Sequence, residues 1–445
     1  MNNVLMQAKR LAIPTKIKNE KLNNVANTAM KLVSKEITKY TEITSIHYGG
    51  SYAKGTWTSE KPDIDIFVKF KKSTSEKKFK SISKKIGFDA LKKFKPYTRY
   101  SEHPFVEAII KNIKINIVPC YDVKAGEWKS AADRSTFHTE FILENLSGPL
   151  KDDVRILKYF MSVNGIYGAE IAKQGFSGYV AEVLVYYFGS FTNVLKEIAK
   201  LKNDNAIGKP RKKFDSTIII IDPVDSNRNL GAAISTENVG KFILLSRAFI
   251  NKPSIQFFRN QRKKLSSKNI LNNILVLKFQ YKKSPDDTIA GQIRRAVNSL
   301  SSQMEIAGFK ILRNSSLTLE KNQAVLLFLM DSLTISENQI HDGPSVFEEN
   351  FSRKFVSINR KKSRIMWIGN NAKIMALQKR SHTNAKIFLN DLIQNHLNKS
   401  GIPNGIKPDI KNMKITTGNN IADKSIKEVI LELVTTNDKI FHSNY

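Results

Sequence analysis

The chain is nearly free of cysteine, has no long hydrophobic run and is short of acidic residues. Its one thiol, Cys120, rules out an internal disulfide and fits a reducing compartment. That residue reads as a small buried hydrophobe rather than a nucleophile. Lys and Arg punctuate the first 40 residues, so no secretory signal is visible. The longest apolar runs, such as Ala324 to Met330, are far too short to span a bilayer. A cytoplasmic protein with no membrane partner is expected. Only 40 Asp and Glu stand against 72 Lys and Arg, leaving a net charge of +32. An excess of that size, spread along the whole length, points to a polyanionic partner, nucleic acid first. Lysine drift in an AT-rich genome is a second source, since Lys, Asn and Ile are all abundant, and both can hold together.

What is present is otherwise ordinary: 41% hydrophobic and 25% charged residues, as in soluble globular proteins. At 445 residues the chain exceeds one core and should divide into three or four domains. Hydrophobic periodicity predicts an amphipathic helix over 17–40 and strands at Ile43–Tyr48 and Ile64–Phe70. It also predicts a lysine-rich helix at Lys77–Lys93 and two strands, Phe105–Ile110 and Lys114–Val118, across a Lys-Asn turn. Helices follow at Asp152–Asn164, Gly178–Phe188 and Ser235–Asn251, with a strand at Ser216–Ile221. Beyond 255, strands at Ile274–Phe279, Gly308–Leu312 and Ala324–Leu333 alternate with a basic helix, Thr288–Ala307. The pattern past Ser345 has no clear period. The order is that of an α+β, multidomain protein.

The most informative segment is Gly49-Gly50-Ser51-Tyr52-Ala53-Lys54-Gly55-Thr56, followed by Asp63-Ile64-Asp65. A strand puts Asp63 and Asp65 on one face, about 7 Å apart along it. Such a pair is a hard-oxygen site suited to Mg²⁺. The Gly-Gly-Ser turn supplies backbone N–H groups and a hydroxyl for phosphates. Metal and phosphate cradle together imply nucleotidyl transfer, in which two ions about 3.5–4 Å apart stabilise the attacking and departing oxygens.

These motifs resemble the polymerase-β nucleotidyltransferase superfamily. Longer strings narrow the likeness to class I, archaeal-type CCA-adding enzymes (tRNA nucleotidyltransferases). They are Glu102-His103-Pro104-Phe105, Ile117-Val118-Pro119-Cys120-Tyr121, Asp133-Arg134-Ser135-Thr136-Phe137-His138-Thr139, Tyr167-Gly168-Ala169-Glu170, Gly175-Phe176-Ser177-Gly178-Tyr179 and Asp222-Pro223-Val224-Asp225. His341-Asp342-Gly343-Pro344 is a weaker match. The resemblance implies template-independent addition of CCA to the 3′ end of tRNA from CTP and ATP, with the acceptor arm gripped by the protein and a homodimer as the assembly. It implies a nucleotidyltransferase head at 1–145, a nucleobase-reading neck at 146–255, and a tRNA-binding body (256–345) and tail (346–445). By position, Ser51 and Lys54 contact the triphosphate, with Lys54 where the family usually has arginine. His138, Lys158 and Tyr167 line sugar and phosphates, and Arg228 faces the base. Taken singly, His138 reads as a polar residue at a helix start and Lys158 as part of a solvated face with Arg155. Tyr167 would pack a bend, and Arg228 would belong to a turn.

One position departs from the family. Asn116 stands where a third carboxylate completes the metal site with Asp63 and Asp65. An amide offers a neutral oxygen but no charge, which weakens the catalytic ion and slows the reaction by about 10²–10⁴. The alternative to an enzyme is therefore a catalytically impaired tRNA-binding paralogue. A third reading, a template-free poly(A) or oligoadenylate synthase, shares the head chemistry but not the neck strings. If Lys111-Asn112 is a two-residue turn, Glu107 lies opposite Asn116 and is placed to reach the metal or to orient the amide.

Overall fold

The computed structural model describes residues 1–60, 62–99, 104–202, 205–260, 265 and 268–441. Glu102 and His103 of the first family string lie outside the described residues. Two compact units emerge: Met1–Arg262 with Pro285–Asp287 and Asn437–Tyr445, and Lys263–Ser284 with Thr288–Thr436.

The first unit starts with helices α1 (Asn2–Ala12) and α2 (Lys16–Ile37), strand β1 (Ile43–Gly49), the short α3 (Gly50–Lys54) and strand β2 (Asp63–Lys71). After α4 (Glu76–Ala90) come β3 (Tyr97–Arg99), β4 (Phe105–Ile110) and β5 (Ile113–Asp122). The strands form one sheet in the order β1-β2-β5-β4-β3. Only the β2–β5 pair is parallel. Period-two alternation explains its two faces. Ile64, Ile66 and Val68 of β2, with Ile113, Ile115 and Ile117 of β5, bury into a core closed by Leu22, Val25, Ala29 and Val33 of α2 and Phe79 and Ile86 of α4. Asp63, Asp65 and Asn116 are left for the opposite face. The β4–β5 turn is Lys111-Asn112, both with positive φ (50° and 66°) as a type I′ turn requires.

The rest of this unit is helical: α5 (Asp133–Asn145), α6 (Gly148–Val163), α7 (Gly178–Phe188), α8 (Phe191–Ala199) and α9 (Thr236–Asn251), with the two-residue strands β6 (Ala206–Ile207) and β7 (Ile219–Ile220). Ser177, Ser190 and Ser235 cap α7, α8 and α9 by accepting from N–H groups three residues on. Phe160, Phe191, Phe249, Phe257 and Phe258 knit the helices through edge and stacked ring contacts. The strand expected over Ser216–Ile221 shrinks to two paired residues, although Ile218 to Ile221 are all buried.

The second unit holds β8 (Ile274–Gln280), α10 (Asp286–Ile306) from Thr288 onward, β9 (Ile311–Leu319) and β10 (Gln323–Met330). Then come β11 (Asn338–Ser345), α11 (Glu349–Asn359), β12 (Ser363–Ile368), β13 (Lys373–Lys379), α12 (Ala385–Asn395), α13 (Lys407–Ile410), β14 (Lys414–Thr417) and α14 (Lys424–Val434); a last helix, α15 (Asp438–Phe441), belongs to the first unit. One sheet runs β14-β8-β10-β9 and another β11-β13-β12. β10 is covered on both faces, by α10 and α12 on one side and α14 on the other, which accounts for its unbroken apolar run. The strand expected at Gly308–Leu312 is displaced. Gly308 has φ +96° and closes α10, with Phe309 N–H bonded to Met304 C=O, so the strand starts only at Ile311.

Candidate active site

The glycine turn and the carboxylate strand meet. Gly49 pairs with Asp65 in the β1–β2 register. Gly50 sits at φ +62°, and a Cβ there would fall 1.9 Å from Asp65 Oδ2. A Cβ on Gly49 would strike the Phe67 ring. Both glycines are thus required by close approach, and Gly50 by its dihedral as well. α3 ends at Gly55 (φ +70°), where Thr56 N–H bonds to Ser51 C=O. Ser51 is half-buried at the start of α3.

Asp63 and Asp65 share the face opposite Ile64 and Ile66. Burial raises both carboxyl groups above their usual range, and for Asp65 the neighbouring Asp63 adds to this, pushing it up to about 7. Asn116 aligns with Asp65 across β2 and β5, and its Nδ2 donates to Asp65 Oδ1 at 2.8 Å. Asn116 Oδ1 is buried and has no hydrogen-bond partner among the described residues. An orphaned carbonyl oxygen beside two desolvated carboxylates is a donor set that fits a divalent cation. Among the described residues no group of three or more His, Cys, Asp or Glu forms a metal cage, since the third position is an amide. Glu107 does lie opposite Asn116. Its carboxylate, however, accepts from the Tyr97 hydroxyl and faces Arg99 (3.9 Å) and Lys114 (3.8 Å). The amide of Asn116 goes to Asp65 rather than to Glu107.

Lys54 and Lys158 converge on one carboxylate. Lys54 Nζ lies 2.7 Å from Glu182 Oε2 and Lys158 Nζ 2.8 Å from Oε1. The Thr56 hydroxyl donates to Oε1 at 2.5 Å, and Lys158 also donates to the Thr56 carbonyl at 3.2 Å. Exposure is 6% for Lys54, 2% for Lys158 and 1% for Glu182. Burial opposes the charge on Glu182, but Lys158 and Lys54 outweigh it and hold the carboxyl down at about 2. Lys158 is therefore no part of a solvated face.

A second carboxylate organises the other side. Asp222, fully buried, receives His138 Nε2 at 3.0 Å, the Tyr179 hydroxyl at 3.0 Å and Arg228 Nη1 at 3.2 Å. The His138 ring stacks on Tyr179 with centroids 3.9 Å apart. Burial pushes the His138 pKa down, opposed by Asp222, which its Nε2 faces. His138 sits in the middle of α5, not at its start. Lys54 Nζ lies 5.1 Å above the other aromatic partner in this cluster, the Tyr179 ring, linking the two carboxylate centres. Tyr167 forms an isolated bridge with Phe176, and its hydroxyl lies close to where a Gly178 Cβ would sit. Burial pushes its phenol pKa up, with Glu182 and Asp63 adding to this, so the hydroxyl stays protonated.

Sequence reasoning missed Glu182, Thr56, Tyr179 and Asp222 as working parts. Glu182 carried a readable signal, a lone carboxylate inside the apolar run Val180 to Val185. Asp222 and Tyr179 stood within family strings but carried no assigned role.

A glycine-serine turn against paired carboxylates, on a sheet of this topology, is the build of a nucleotidyltransferase, and residues 30–145 match the nucleotidyltransferase domain model. Residues 152–259 match the second domain of tRNA nucleotidyltransferases, and 272–418 the C-terminal domain of CCA-adding enzymes. The CCA-adding enzyme of Sulfolobus acidocaldarius is 35% identical over 351 residues, covering 77% of this chain and 82% of its own. That of Pyrobaculum islandicum is 30% identical over 412 residues, 90% of this chain and 94% of its own. That of Sulfurisphaera tokodaii is 33% identical over 347 residues, 77% and 82%. The chain belongs to the CCA-adding enzyme family, a class of nucleotidyltransferase that depends on divalent metal.

Proposed function

We propose that this protein adds C, C and A to the 3′ end of tRNA from CTP and ATP, without a template, serving tRNA maturation and 3′-end repair. The observation that carries the reading is the contact of the Gly49-Gly50-Ser51 turn with Asp65, inside a chain related along most of its length to CCA-adding enzymes. In the reaction the terminal 3′-oxygen of tRNA attacks the α-phosphorus, its proton leaves, and the bond to pyrophosphate breaks. Asp63 and Asp65, with the free oxygen of Asn116, would hold Mg²⁺, which when bound would supply acidity to the 3′-hydroxyl and charge neutralisation to the departing pyrophosphate. The Ser51 turn orients the triphosphate, and Lys54 and Lys158 neutralise it. His138 and Tyr167 line the sugar, and Arg228, held by Asp222, presents donors to the base edge.

Residues 1–145 act as catalytic head and 146–255 as nucleobase-reading neck, while body (256–345) and tail (346–445) grip the acceptor arm of tRNA. The net charge of +32 supports that grip. A homodimer in the cytoplasm completes the reading; no described helix is long and apolar enough to cross a membrane. No observation favours the impaired-paralogue alternative. The test is incorporation of labelled CMP and AMP onto tRNA ending at the discriminator base, with and without chelator. Use of ATP alone, or tRNA binding without turnover, would overturn the proposal.

A further inference from the structure

We propose that Arg134 is a positioning residue for base selection: through its ion pair with Asp225 it holds the turn that carries Arg228 in the orientation that reads the nucleobase. This rests on the base-reading role of Arg228 proposed above. Arg134 and Asp225 belong to the strings Asp133–Thr139 and Asp222–Asp225, and neither has a part in the chemistry so far. The turn from Asp222 to Arg228 closes on its own backbone. Asp222 N–H donates to Arg228 C=O at 3.1 Å, Asp225 N–H to Asp222 C=O at 3.2 Å, and Arg228 N–H to Asp225 C=O at 2.8 Å. Asp225 Oδ1 accepts from Asn227 N–H at 3.2 Å, an Asx turn inside the loop. Its other oxygen, Oδ2, reaches out of the turn and accepts from Arg134 Nε at 3.1 Å.

Arg134 stands four residues before His138 on α5, so the two side chains leave one face of the helix a turn apart. Each ends on a carboxylate of the same turn, His138 on Asp222 and Arg134 on Asp225. One attachment leaves a loop free to swing about it; a second fixes its direction. Arg134 is itself held. Its guanidinium lies 5.6 Å from the centre of the Trp128 ring, which packs edge-on against Phe137 with centroids 5.1 Å apart. Trp128 sits in the loop after β5, the strand that carries Asn116. Fully buried Asp133 pins that loop, its carboxylate accepting from the N–H groups of Tyr121, Lys129 and Ser130 and from the Ser130 hydroxyl. Contacts thus run unbroken from the strand with Asn116 to the base-reading turn. The Arg134 and Asp225 side chains are 27% and 15% exposed, and a partly exposed pair adds little to global stability. What it supplies is orientation.

The experiment compares kcat/KM for CTP and for ATP at the first addition, on tRNA lacking CCA, in the full chain and its variants. Arg134→Gln should lower the CTP-to-ATP ratio by about tenfold, with a thermal midpoint within about 4 °C of the parent's. Asp225→Asn keeps the Asx turn but removes the charge that holds Arg134, and should lower the ratio at least about threefold. The double variant should be no worse than Arg134→Gln alone, because both changes break one interaction. Additive losses, an unchanged ratio in Arg134→Gln, or an equal fall for both nucleotides would overturn the positioning role. If Arg134→Gln does not fold, Asp225→Asn decides on the same ratio. Arg228→Gln separates the two readings: a ratio equal to the parent's in that variant overturns base reading by Arg228 itself, and this inference with it.

Discussion

Gly50 and Asp65 are packed so closely that a single methyl group on the glycine would lie 1.9 Å from the aspartate's Oδ2. The glycine-serine turn and the strand that carries the carboxylates are therefore positioned by the same contact. Gly50→Ala must both displace Asp65 and adopt φ +62°, a left-handed conformation that opposes an L side chain by about 1–2 kcal/mol. CMP incorporation should fall by on the order of 10², with a modest drop in thermal midpoint. A variant with normal turnover would show that the turn does not set the carboxylate position.

Asn116→Asp should separate slow catalysis from none. The substitution replaces a donor to Asp65 by a like charge, so without metal the protein should lose roughly 1–3 kcal/mol of stability. With Mg²⁺ the new carboxylate becomes a ligand, stability returns and incorporation rises by about 10–10³. Thermal midpoints in chelator and in Mg²⁺ read the first effect independently of activity. A gap between the two midpoints no wider than in the parent would mean position 116 lies outside the metal shell.

Much of this site was legible because the chemistry coincides with strong local patterns. The alternation of Asp63 and Asp65 with Ile64 and Ile66 fixes which face each residue takes. The Lys111-Asn112 turn fixes the register of Glu107 and Asn116. What stayed hidden depends on contacts distant in sequence. Lys158 looks solvated on its helix and is buried only because Glu182 and Thr56 reach it from elements 24 and 102 residues away. The segment after Ser345 resisted reading for another reason. In β12, Ile365, Trp367 and Ile368 are exposed at 58%, 39% and 62%, so burial imposes no period on the sequence.

Asp222→Asn removes the charge that His138, Tyr179 and Arg228 share. Arg228, 42% exposed at its side chain, should lose its fixed orientation while remaining on the surface of the cluster. Preference for CTP over ATP at the first addition should fall by about tenfold, with a stability loss of roughly 3 kcal/mol. Tyr179→Phe keeps the ring on His138 and deletes one donor, so its effect should be about 1 kcal/mol. Competition between labelled CTP and ATP on tRNA lacking CCA measures both. Unchanged selectivity in Asp222→Asn would detach Arg228 from base reading.

Binding of tRNA should weaken steeply with salt, since log K falls by roughly 0.9 for each phosphate neutralised, taking duplex RNA like duplex DNA. Filter binding at several KCl concentrations gives the slope. A nearly flat dependence would show that the +32 excess does not contact the backbone.

Acid stability offers the most direct reading of the Glu182 centre. Its carboxyl is held at about 2, against an ordinary value of 4.5, by Lys158 and Lys54 working against burial. A lowered folded-state pKa means that the unfolded chain takes up the proton first as pH falls. The contribution is therefore complete above 4.5 and disappears as pH drops toward 2. Glu182→Gln should be less stable at neutral pH by roughly 3–5 kcal/mol, because two ammonium groups lose their shared partner. Its stability should also fall less than the parent's between pH 4.5 and acid, so the two urea midpoints converge on acidification. Parallel midpoints across that window would mean that the lysines do not hold Glu182 ionised in the folded protein.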